Sequence, residues 1–133
     1  VGQYSGMRDN YFYLDESLIQ NTLANIGKQM KLVTVASGDV FVTSSEDKHR
    51  LAKEFGADIC EMELAGIAIA CERNNVPLFS VKVVSDKADE SANVSFLSIV
   101  EKGVAGYEKI LPEILKAVKD GATALPPVKH EKA

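Results

Sequence analysis

One stretch limits what this chain can fold into more than any other: Asp58-Ile59-Cys60-Glu61-Met62-Glu63-Leu64-Ala65-Gly66-Ile67-Ala68-Ile69-Ala70-Cys71. It opens as a short apolar strand, sets two carboxylates and a methionine at its end, and continues as a helix apolar on most sides. A helix of that composition is expected to be buried on most sides. Glu61 and Glu63 then stand at a strand-to-helix junction over a buried element, where an unpaired charge is costly. Two readings follow. Acidic residues favour helix N-termini, and the carboxyl ends of strands in open α/β sheets are where ligands bind.

The flanking segments are punctuated in the same style. Asp15 caps a predicted helix whose Leu18, Ile19, Thr22, Leu23 and Ile26 share one face, with Gly27 as its stop. Leu32 to Ala36 reads as a strand, followed by the turn Ser37-Gly38-Asp39 and a second short strand, Val40 to Thr43. Ser44 and Asp47 have capping-box spacing, and their helix runs to about Phe55 and closes at Gly56. After the central stretch, Asn74-Asn75 and Pro77 end the helix, and Leu78 to Val84 forms the next strand, terminating in Ser85-Asp86. A long helical pattern follows, with Leu97, Val100, Val104, Tyr107, Leu111, Ile114 and Val118 three or four apart, and Pro112 is expected to kink or split it. Strands alternating with crossover helices indicate an α/β architecture with a largely parallel sheet.

Composition narrows the function. The 133 residues allow one domain with a modest core, and a net charge of −4 without a basic cluster gives no support for nucleic-acid binding. No apolar run reaches membrane-spanning length, and Val1-Gly2-Gln3-Tyr4-Ser5 lacks a signal pattern, so the cytoplasm is the expected compartment. Cys60 and Cys71 read as reduced core cysteines, and no zinc spacing, phosphate-binding Gly-Lys-Ser loop or Gly-x-Ser-x-Gly elbow occurs. No metal or cofactor is expected. His49, beside Lys48 and Arg50, reads as surface, and His130 as part of a loose tail from Gly121 onward. The chemistry is left to the strand ends: Asp39 to Val42, Glu61 to Glu63, and Ser85-Asp86. A desolvated carboxyl can hold a proton near neutral pH and give it to a leaving group. A plain loop-capping role for Asp86 stands beside that reading.

These motifs, in this order, resemble a known family. Ser37-Gly38-Asp39-Val40-Phe41-Val42, Glu61-Met62-Glu63 opening an Ala-rich helix, and Val84-Ser85-Asp86-Lys87-Ala88-Asp89 are similar to the purine nucleoside phosphorylase and nucleosidase superfamily. Ser85 to Asp89 with Val94-Ser95-Phe96 resembles its 5′-methylthioadenosine/S-adenosylhomocysteine nucleosidases most. The resemblance implies a three-layer phosphorylase/hydrolase-like fold, with residues 1–120 forming its C-terminal part and 121–133 a tail. It also implies roles. Asp86 would protonate adenine as the N-glycosidic bond breaks, while Glu63 would hold a ribose hydroxyl and stabilise positive charge on the sugar. Met62 would pack on the ribose, Val42 would read the adenine edge with Phe41 stacking nearby, and Ser85 would support the base or orient Asp86. Phe96 would cover the alkylthio end, with Glu61 as a weaker supporting contact.

Members of that family are longer, and the half not matched supplies the first strands and the glutamate that activates water. The implied partners are a nucleoside substrate and water, a second copy in a homodimer (Gly2-Gln3-Tyr4 resembles a segment near that interface), and a separate N-terminal fragment. A phosphorylase using phosphate is the alternative within the superfamily. Only Arg8, Arg50 and Arg73 are available as arginine partners for that anion, and none follows Asp86. A nucleoside-binding or interaction domain without the catalytic base is the alternative from another class.

Overall fold

The computed structural model describes residues 10–26 and 30–122, with the side chains of 25, 93–102 and 121–122 outside that description. The Gly2-Gln3-Tyr4 segment, Arg8, Gly27 and the 123–133 tail with His130 likewise lie outside the described residues. Six elements follow one another: α1 (Glu16–Ile26), β1 (Val35–Ser37), α2 (Ser45–Phe55), β2 (Ile59–Glu61), α3 (Leu64–Arg73) and α4 (Ala92–Ala122). The parallel pair β1–β2 has Val35 opposite Ile59 and Ser37 opposite Glu61.

Local chemistry sets the helix ends. The Asp15 carboxylate accepts the Leu18 amide at 2.8 Å, so α1 starts where a capping acid predicts. Ser44 caps α2 by accepting the Asp47 amide at 3.1 Å, and its hydroxyl donates to the Asp47 carboxylate at 2.9 Å. Gly56 closes that helix at φ +61°, the left-handed conformation that costs glycine nothing. Helix α3 ends in a Schellman arrangement. The Val76 amide reaches the Cys71 carbonyl at 2.9 Å and the Asn75 amide the Glu72 carbonyl at 3.2 Å, with Asn75 at φ +52° where glycine is more usual.

The core lies between the first and last helices. Leu18, Thr22 and Ile26 of α1 and Ile114 and Ala117 of α4 are buried, and the Asn21 side-chain amide donates to the Ala117 carbonyl at 2.7 Å. Each large aliphatic group so buried contributes about 1.5–3 kcal/mol.

Several expectations are corrected. Segments 40–43 and 78–84 form no ladder among the described residues, so neither is a strand. Carbonyls of the second accept instead from the Asp15 amide (Leu78, 2.8 Å) and the Tyr107 hydroxyl (Val81, 3.1 Å). Pro112 does not split α4. Proline removes one helical bond, and α4 runs through it while packing along α1. Along the apolar stripe of α4 Ile114 is buried, as is Ala117 outside it, while Val104 and Leu111 are exposed. Small residues let neighbours come close, as at Gly103, where an added Cβ would already lie 3.7 Å from Val83. In α3 only Leu64 and Ala68 are buried, and Ile67 is exposed, so the helix buries one face instead of most. Cys60 and Cys71 are free and only half-buried. Helix α4 continues to Ala122, past the expected start of the tail.

Candidate active site at the strand ends

Parallel pairing puts the carboxyl ends of β1 and β2 on the same edge, with Ser37 beside Glu61. The Gly38 amide extends the ladder to the Glu61 carbonyl at 3.1 Å, and the Ser37 hydroxyl accepts the Ala65 amide at 2.8 Å. Thus β1 is stitched to the first turn of α3.

Glu61 is the hub of this junction. Its carboxylate accepts the amides of Glu63 (3.1 Å) and Leu64 (2.9 and 3.0 Å to its two oxygens) and the Lys82 ammonium at 2.8 Å. The amides of a helix's first turn have no partners within the helix, and here a carboxylate from the preceding strand supplies one. The Glu61 side chain is only 11% exposed. That burial opposes ionisation, yet the hydrogen bonds from Lys82, Ser37 and the two amides outweigh it and hold the carboxyl below its usual range.

Glu63 is placed differently. It stands at the N-cap of α3, but its side chain makes no cap bond. It is exposed, and the amide of Met62 lies 3.4 Å from its carboxylate. Met62 is exposed too, as is Phe41 on the coil that follows β1, while Val42 beside it is half-buried. That coil begins with a tight turn in which the Val40 amide meets the Gly38 carbonyl at 2.8 Å.

The third junction carries Asp86, half-buried, whose carboxylate accepts the Ser85 hydroxyl and the Ala88 amide, each at 2.7 Å. Cys60 lies in the middle of β2. Burial, then the negative charges of Asp86 and Glu61, push that thiol's pKa up. The structure gathers Ser37, Glu61, Lys82 and the Met62-Glu63 corner around the ends of β1 and β2, and Asp86 stands on the loop that follows segment 78–84. Phe96 belongs to α4, and its side chain lies outside the described residues.

Two members of this network, Ser37 and Lys82, carry no role in the sequence reading. The signal for Lys82 was its place as the single cation inside Phe79-Ser80-Val81-Lys82-Val83-Val84. A cation in an apolar run is favoured where an acceptor stands opposite it. Among the described residues, no group of three or more His, Cys, Asp or Glu side chains is placed to hold a metal ion.

Acidic residues at the carboxyl ends of parallel strands stand where open α/β sheets bind ligands. The sequence pattern of the phosphorylase superfamily matches residues 8–117, and the chain belongs to that superfamily. It is 35% identical over 112 residues to an aminodeoxyfutalosine nucleosidase of Helicobacter pylori, a match covering 80% of this chain and 48% of that protein. It is 34% identical over 111 residues to a 5′-methylthioadenosine/S-adenosylhomocysteine nucleosidase of Buchnera aphidicola, covering 78% and 48%. Among solved structures it superposes on the nucleosidase of that name from Neisseria meningitidis, in complex with methylthio-immucillin-A, with a TM-score of 0.76 at 32% identity over 87% of this chain and 52% of that one. The chain spans about half the length of the curated relatives it matches.

Proposed function

We propose that this chain carries the nucleoside-binding and acid-donating half of an N-glycosyl hydrolase that releases adenine from 5′-substituted adenosines. The observation that carries this reading is the division of roles among three carboxylates. Glu61 is spent on protein donors, Glu63 stands exposed beside Met62, and Asp86 is held by Ser85 and Ala88. In this scheme Asp86 protonates adenine as the bond to the sugar breaks, so that the base leaves neutral. Glu63 accepts a ribose hydroxyl and stabilises the oxocarbenium-like charge, which fixed negative charge favours. Phe41 and Val42 receive the base, Met62 the ribose, and Phe96 the 5′ substituent. Glu61 supports the corner, and Ser85 orients Asp86. Water adds to the anomeric carbon, and its proton passes to a carboxylate that the family resemblance places in the N-terminal portion.

The relatives' names favour hydrolysis over phosphorolysis, and Arg50 is already engaged by Asp47 at 3.2 Å and Glu54 at 3.5 Å. For the substrate we favour methylthioadenosine and S-adenosylhomocysteine, with aminodeoxyfutalosine as the competing one. Among the described residues no helix is long and apolar enough to cross a membrane, and we place the protein in the cytoplasm. We further propose a homodimer, completed by an N-terminal fragment, that covers the exposed Val104, Leu111 and Leu115 of α4.

The test is adenine release from each of the three nucleosides by the chain together with its N-terminal portion, in phosphate-free buffer and then with phosphate added. Release without phosphate supports the hydrolase, and the ranking of rates names the substrate. Release that requires phosphate replaces it with a phosphorylase. Adenine binding without release in either buffer would reduce the chain to a nucleoside-binding half.

A further inference from the structure

Helix α2 is outside the chemistry described so far, yet its first turn grips the loop that carries Asp86. The Glu90 carboxylate accepts the Ser45 amide at 2.9 Å and the Ser45 hydroxyl at 2.8 Å, so a distant acid satisfies an orphan donor at the start of α2. One turn on, the Lys48 ammonium donates to the Lys87 carbonyl at 3.2 Å and to the Asp89 carboxylate at 3.5 Å. These two acceptors flank Ala88, which sits at φ +50°. A non-glycine residue there is strained and persists only when its surroundings hold it. Ala88 is also the residue whose amide grips the Asp86 carboxylate at 2.7 Å.

We propose that Lys48 and Glu90 are positioning residues: they clamp loop 85–91 onto α2, keep Ala88 left-handed, and thereby aim the Asp86 carboxylate. This rests on the reading of Asp86 as the acid. The clamp acts on the proton-transfer step and leaves Glu63, Met62 and Phe41, the contacts assigned to ribose and base, untouched. Its removal therefore lowers kcat with little change in KM.

The experiment compares Lys48→Met, Glu90→Ala and Glu90→Gln with the unaltered chain, in methylthioadenosine hydrolysis and in hydrogen exchange of the Ala88 amide. Lys48→Met and Glu90→Ala should each lower kcat about tenfold with KM within about twofold, and speed Ala88 exchange by a similar factor. Glu90→Gln keeps an acceptor oxygen for Ser45 and should recover most of the rate. Ala88→Gly in the Lys48→Met background should restore part of it, because glycine reaches this conformation without the clamp. Unchanged Ala88 exchange in both disruptive variants overturns the proposal, as does a fall in thermal midpoint with kcat per folded molecule intact. If the unaltered chain, supplied with its N-terminal portion, releases no adenine, the hydrolase reading fails, and amide exchange alone still decides the clamp.

Discussion

The α1–α4 pair and the strand-end corner are built by opposite means. In the helical pair, aliphatic groups (Leu18, Ile26, Ile114) close over small ones, and one side-chain amide bond from Asn21 adds to the packing. At the corner the strands are three residues each, and Met62, Phe41 and Ile67 are exposed. What holds that corner is a polar web centred on Glu61. Apolar packing tolerates small shifts and has no direction, whereas hydrogen bonds to a carboxylate fix angles. On the function proposed above, a corner that places Glu63 and Asp86 against a substrate gains from the second kind of construction.

The largest effect should separate chemistry from folding. Asp86→Asn is expected to slow adenine release at least about a hundredfold, the usual scale for a lost general acid, with circular dichroism unchanged. Near-normal turnover would remove Asp86 from the acid role. The mirror experiment is Ile114→Ala, which should cost about 3 kcal/mol in urea unfolding while leaving the rate per folded molecule alone. A large loss of rate in folded protein would show that the two regions are not independent.

Lys82→Met tests the web directly. It strips the cation from a poorly exposed carboxylate and should cost about 2 kcal/mol near neutral pH. The folded pKa of Glu61 lies below its unfolded value. Its contribution is therefore present above about pH 4.3 and fades as pH falls through the lower folded value. Urea midpoints between about pH 2.5 and 7 should fall on acidification in the unaltered chain, and less steeply in Lys82→Met. Equal slopes would mean that Lys82 does not set the Glu61 titration. Smallest of all, Ser44→Ala removes one cap from α2 and should cost about 1 kcal/mol, read from the thermal midpoint. A null result there would show that Glu90, accepting at Ser45, already satisfies that helix start.

How far the chain could be read beforehand follows from how far each interaction reaches along it. Asp15, Ser44 with Asp47, Gly56 and the Asn74-Asn75 stop act within four residues, and each bounds its helix as written in the sequence. The Glu61-Met62-Glu63 and Ser85-Asp86 corners were visible for the same reason, because each marks the end of an apolar run. Segment 78–84 was misread as a paired strand because a ladder needs a neighbour that local composition does not name.

By itself, then, the sequence determined the start of α1, both ends of α2, the end of α3, the α/β class and the family, all of which rest on short-range chemistry or ordered motifs. Only the tertiary structure decided which carboxylate is consumed and which remains accessible. The Lys82 ammonium that reaches Glu61 comes from 21 residues away, and the Glu90 carboxylate that meets Ser45 comes from 45 away. Partners so far apart are chosen by the packing of the whole chain, because closing such loops costs entropy that no local pattern records.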